Sequence, residues 1–102
     1  MQTDLTSEIL ELVRFTSTNL PPDVEKKLRA AVEQEDPGSA ANSTLKTIIT
    51  NVEMARDNST PICQDTGTPI FYVHYPEGWS IRKLKAQIQD AVVQATEKAY
   101  LR

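Results

Sequence analysis

The sequence predicts a predominantly helical α+β fold, and three observations carry that prediction. Four segments repeat apolar residues at steps of three and four, which places them on one face of a helix. One run, Ile70 to Tyr75, is dense in β-branched and aromatic residues and reads as a strand. Prolines, glycines and small polar residues mark the breaks between them. The predicted order is three amino-terminal helices, a strand at about residues 70–75 and one long helix at about residues 81–100.

The first helix spans Thr3 to about Thr16, with Leu5, Ile9, Leu12, Val13 and Thr16 on its apolar face and Thr3 or Asp4 as its cap. It stops at Ser17-Thr18-Asn19, ahead of Leu20-Pro21-Pro22, because a residue before proline is pushed out of helical conformation. The second helix starts near Pro22 or Asp23, where a missing N–H costs nothing, and runs to about Glu35. Val24, Leu28, Ala31 and Val32 form its face, and its charges of alternating sign read as a solvated surface. After the turn Asp36-Pro37-Gly38-Ser39, the third helix covers about Ala40 to Arg56, with a stripe of Ala41, Leu45, Ile48, Ile49, Val52 and Ala55.

The strand puts Ile70, Tyr72 and His74 on one face and Phe71, Val73 and Tyr75 on the other. Both faces are largely apolar, and the chain offers no second strand to pair with it. Such an orphan strand predicts self-association into a homo-oligomer through its free edge. Pro76-Glu77-Gly78 makes a turn, Trp79 is an anchor, and Ser80 caps the last helix, whose face is Ile81, Leu84, Ile88, Ala91, Val92, Ala95 and Ala99. That helix meets no Gly, Asn or Pro to end it before Arg102, so the chain reads as an incomplete part of a larger domain.

Composition narrows the function classes. The 102 residues allow one modest domain, and 39% hydrophobic with 25% charged residues is ordinary for a soluble protein. No apolar run reaches the roughly 20 residues of a membrane-spanning helix, and the first residues lack the pattern of a secretory signal. A net charge of −3 with interspersed signs gives no footprint for nucleic acid. One cysteine makes no internal disulfide and fits a reducing cytoplasm.

The chemistry gathers in Pro61-Ile62-Cys63-Gln64-Asp65-Thr66-Gly67-Thr68, where an amide, a carboxylate, two hydroxyls and a glycine surround the only thiol. Taken alone, Cys63 reads most simply as a small buried hydrophobe. As a nucleophile it needs a base, and the only histidine, His74, lies on the strand. As a metal ligand it needs partners that this chain does not supply. Asp65-Thr66-Gly67 also fits an ordinary Asx turn, which is its simpler reading.

The eight-residue stretch resembles the first cluster-ligand motif of the class I, iron–sulfur-dependent fumarate hydratases and the related L(+)-tartrate dehydratase alpha subunits. Leu20-Pro21-Pro22-Asp23-Val24, the helix from Leu45 to Arg56 and the ending Ala99-Tyr100-Leu101-Arg102 are similar to the same family, so the resemblance covers essentially the whole chain. It implies that residues 1–102 are the amino-terminal portion of an alpha region, a cut piece of a longer chain. It further implies that Cys63 ligates one iron of a 4Fe–4S cluster, that Gln64 and Asp65 contact the substrate, and that Asp65 transfers a proton. The other two cluster cysteines and a catalytic threonine lie further along in the family, in the rest of the alpha region and in a beta subunit or domain. This chain alone is therefore expected neither to hold a cluster nor to turn over substrate.

The reaction implied is reversible hydration and dehydration of a C4 dicarboxylate, with fumarate and malate first and L(+)-tartrate as the alternative. Two further readings stand beside it. The missing ligands and the uncovered strand suit a non-enzymatic helical interaction module, and Cys63 with His74 suits a thiol-based redox domain.

Overall fold

Four helices form in the computed structural model, which describes residues 2–65 and 67–102: α1 (Thr6–Thr18), α2 (Pro22–Gln34), α3 (Ala40–Asn58) and α4 (Ile81–Glu97). Their boundaries follow local chemistry. Leu5 occupies the N-cap position of α1 without a side-chain bond, and Asp4 Oδ1 accepts from the Thr6 amide at 2.9 Å instead. Pro22 opens α2 at a position that has no amide partner to lose. Ser39 and Ser80 cap α3 and α4 by accepting from the amides of Asn42 at 3.1 Å and Lys83 at 3.2 Å.

The helices pack as two pairs. α1 lies parallel to α4, because Gln2 meets Ser80 and Leu5 meets Gln87 at the shared starting end. The core is mainly here: Ala91 and Ala95 are fully buried, and Val13 and Leu84 nearly so. α2 and α3 form an antiparallel hairpin through the Asp36–Ser39 turn, where Gly38 holds a φ of 82° that an L side chain resists. Val52 and Ala55 are buried on α3, and Asn42 Nδ2 donates to the Val32 carbonyl at 3.3 Å. The α2 charges lie on a solvent-facing surface, as expected, and some of them also bridge the hairpin: Glu25 accepts from Arg29 and Arg56, and Arg29 also reaches Glu53 at 2.8 Å. Only the carboxy-terminal ends of α1 and α3 come together to join the pairs.

The result is elongated, 58 × 27 × 20 Å with a radius of gyration of 17.6 Å. A compact domain of this length would be nearer 13 Å. No helix among the described residues is long and apolar enough to cross a membrane.

Two expectations are corrected. Residues 70–75 form no strand, and none forms anywhere among the described residues. A strand is a ladder between neighbours, and this segment has none among the described residues, so β propensity alone does not make it a strand. Ile70 is 70% exposed and Tyr72 89% exposed. The strand edge through which self-pairing was expected is absent among the described residues. The last helix, expected to run to about residue 100, ends at Glu97. Ala99 adopts a left-handed φ of 61°, and the Tyr100 amide folds back to the Ala95 carbonyl at 2.9 Å. An alanine thus performs the stop that was sought in Gly, Asn or Pro.

Candidate functional site

The loop that carries the thiol begins at the end of α3. Ser59 sits in the left-handed region at φ 51°, and the Thr60 amide returns to the Ala55 carbonyl at 3.1 Å, closing the helix in the manner of a Schellman cap. Arg14 of α1, itself paired with Glu11, donates to Ser59 Oγ at 3.3 Å. The bonds to Glu11 raise the guanidinium's affinity for its proton and hold the Glu11 carboxyl below its ordinary range. The chain then reaches Ile62, whose two backbone groups are both bonded. Its amide donates to the Ser17 carbonyl of α1 at 3.0 Å, and its carbonyl accepts from Asn51 Nδ2 of α3 at 2.9 Å.

Cys63 follows this double anchor and is exposed, so the reading as a buried hydrophobe is overturned. It is the backbone of Ile62, not of Cys63, that is bonded to α1 and α3, and Ile62 is the more buried of the two. Gln64 and Asp65 are also exposed. Asp65 Oδ1 accepts from the Gly67 amide at 2.9 Å, and Gly67 has a φ of 65° with open space where a Cβ would stand. This is the Asx turn that the tripeptide suggested. It uses one carboxylate oxygen and leaves Oδ2 without a partner among the described residues. Thr66 of the motif lies outside the described residues.

Cys63 and Asp65 border one cavity of about 470 Å³. It is lined by Leu12, Val13 and Thr16 of α1 on one side and by the segment from Thr68 to Tyr72 on another. Gln64 does not line it and makes no hydrogen bond among the described residues. His74 does not line it either, and among the described residues no hydrogen bond joins the thiol and imidazole that the redox reading pairs. Leu12, counted as core on the helical spacing, is 58% exposed because it faces this cavity.

The donor set can be tested against an iron–sulfur cluster. Among the described residues no three His, Cys, Asp or Glu side chains converge as a metal site. One accessible thiol at a cavity rim fits a single ligand position and leaves the other positions to residues outside this chain. Sequence reading passed over Asn51. The available signal was an amide on the α3 surface, eleven residues ahead of Ile62 in the chain.

The family model described as Fumarate hydratase (Fumerase) matches residues 6–102. A protein of Geobacillus stearothermophilus named "Putative fumarate hydratase class I" is 40% identical over 98 residues, covering 96% of this chain and 19% of that protein. The L(+)-tartrate dehydratase subunit alpha of Escherichia coli (strain K12) is 32% identical over 99 residues, covering 96% of this chain and 32% of that protein. The chain thus spans about a fifth to a third of the length of these relatives. With a match that runs from the first turn of α1 to the last residue, the chain belongs to the fumarate hydratase (Fumerase) family.

Proposed function

We propose that this chain forms one wall of the active site of a hydro-lyase that adds water to, or removes it from, a C4 dicarboxylate, with fumarate and malate as the first substrates to test. The observation that carries the reading is the juxtaposition of Cys63 and Asp65 on one cavity within a chain of this family. The tartrate dehydratase relative makes L(+)-tartrate the second substrate to test.

Cys63 would hold one corner of a 4Fe–4S cluster, with the remaining cysteines supplied by the rest of the alpha region. When bound, an iron with an open position supplies Lewis-acid chemistry toward a carboxylate and a hydroxyl. Gln64, without an internal partner, offers its amide N–H groups to a substrate carboxylate. Asp65 keeps Oδ1 on the Gly67 amide, which fixes the carboxyl plane and leaves Oδ2 to give a proton to the departing hydroxyl. In the hydration direction the same oxygen takes that proton back from water. The lone free cysteine suits a reducing, cytoplasmic setting. The bare segment from Ile70 to Tyr75 suits burial against the remaining alpha region, a beta subunit or a second copy of the chain.

Asp65→Asn is a clean test, because an asparagine Oδ1 can keep the Asx turn while removing the acid. In the complete enzyme the variant should lose roughly 100-fold or more in kcat with iron content unchanged. Near-normal kcat would remove Asp65 from the reaction.

A further inference from the structure

We infer that Asn51 is a positioning residue for Cys63, fixing the thiol-bearing loop against both helix pairs at once. The inference rests on the reading above for why the placement of Cys63 matters, but its physical content is independent of it. A peptide unit is planar, so the Ile62 carbonyl and the Cys63 amide nitrogen share one rigid plane. Asn51 Nδ2 holds that carbonyl at 2.9 Å. The preceding plane is held by the Ile62 amide on the Ser17 carbonyl at 3.0 Å. With the planes on both sides of the Ile62 Cα fixed, the Cα of Cys63 has a set position relative to α1 and α3.

The location matters because the two helix pairs meet only through the ends of α1 and α3. Beyond Ile62 the described residues of the motif show one further bond, the local one from the Gly67 amide to Asp65. No bond from Cys63 or Gln64 to a helix exists among the described residues, so the anchor at Ile62 is what the thiol inherits. Ser17 contributes a backbone oxygen that no substitution removes. Asn51 is therefore the side chain on which this placement turns, and its exposed site on α3 makes it replaceable without disturbing the core.

The test is peptide-resolved hydrogen exchange on the full chain without cluster, comparing wild type with Asn51→Ala, Asn51→Gln and Thr50→Ala. Thr50 is an exposed neighbour whose hydroxyl bonds only within α3, to the Lys46 carbonyl. Asn51→Ala should speed exchange at the Ile62 amide, which is held on the Ser17 carbonyl, by roughly two- to twelve-fold, the factor that one ordinary net hydrogen bond supplies. Asn51→Gln, which keeps a donor, should recover part of the protection, and Thr50→Ala should change nothing. The inference is overturned if exchange at Ile62 is unaltered in Asn51→Ala, or if acceleration spreads along α3 as a general loss of helix stability. Cys63→Ser separates the two readings. If that variant kept its iron, the proposed ligand role would fail while the exchange result for Asn51 would still stand.

Discussion

Gln2 and Ser80 hydrogen-bond in both directions across 78 residues of sequence: Gln2 Nε2 donates to the Ser80 carbonyl at 3.1 Å, and the Ser80 amide donates to Gln2 Oε1 at 2.7 Å. One amide side chain thus imitates a peptide unit and ties the lead-in of α1 to the cap of α4. Gln2→Ala should lower stability by about 1–2 kcal/mol, the net worth of two ordinary bonds. Gln2→Glu keeps the acceptor and should cost less. Urea denaturation of both variants checks this, and equal stability of wild type and Gln2→Ala would refute it.

Ala99 gives a prediction of the opposite sign. Its φ of 61° places an L side chain where Cβ crowds the carbonyl. Glycine escapes that strain, so Ala99→Gly should stabilise the chain by about 0.5–1 kcal/mol. A lower midpoint in thermal unfolding would show that Ala99 is not held in this conformation in solution.

The hairpin ion pairs predict an acid limit. Hydrogen bonds from Arg29 first and Arg56 second hold the Glu25 carboxyl below its ordinary range. A carboxyl lowered on folding stabilises the native state above its unfolded value, and the contribution is lost as pH falls through the lower folded value. Stability should therefore be full at neutral pH and decline on acidification below the usual glutamate range, with a shallower decline in Glu25→Gln. High salt should weaken the difference, since the groups lie near solvent. An identical acid profile for both proteins would contradict the assignment.

Where the sequence was legible, one local rule decided the outcome alone. Pro22 and Ser39 start their helices because a missing amide or a hydroxyl acceptor is satisfied without reference to distant residues. Where it was not, a partner elsewhere was needed. Ile70 to Tyr75 has strand-forming side chains but no neighbour to complete a ladder. Leu12 and Val13 share the apolar spacing of α1 and both line the cavity, yet Val13 is buried and Leu12 is 58% exposed. Helix periodicity gives the width of a face, not which part of it is covered. The site divides in the same way. Cys63 and Asp65 stand out in the sequence as candidates by their chemistry and by family resemblance, whereas the bond from Asn51 to Ile62 becomes visible only when α3 is laid beside the loop.

The ligand role of Cys63 is most directly tested by iron and sulfide content after anaerobic reconstitution of the full-length protein, measured for wild type and Cys63→Ser. The thiol is exposed, so its replacement leaves the helical core untouched. The account predicts a broad visible absorbance in wild type that collapses in the variant, together with its iron, while helical circular dichroism stays the same. Undiminished iron and absorbance in Cys63→Ser would contradict it.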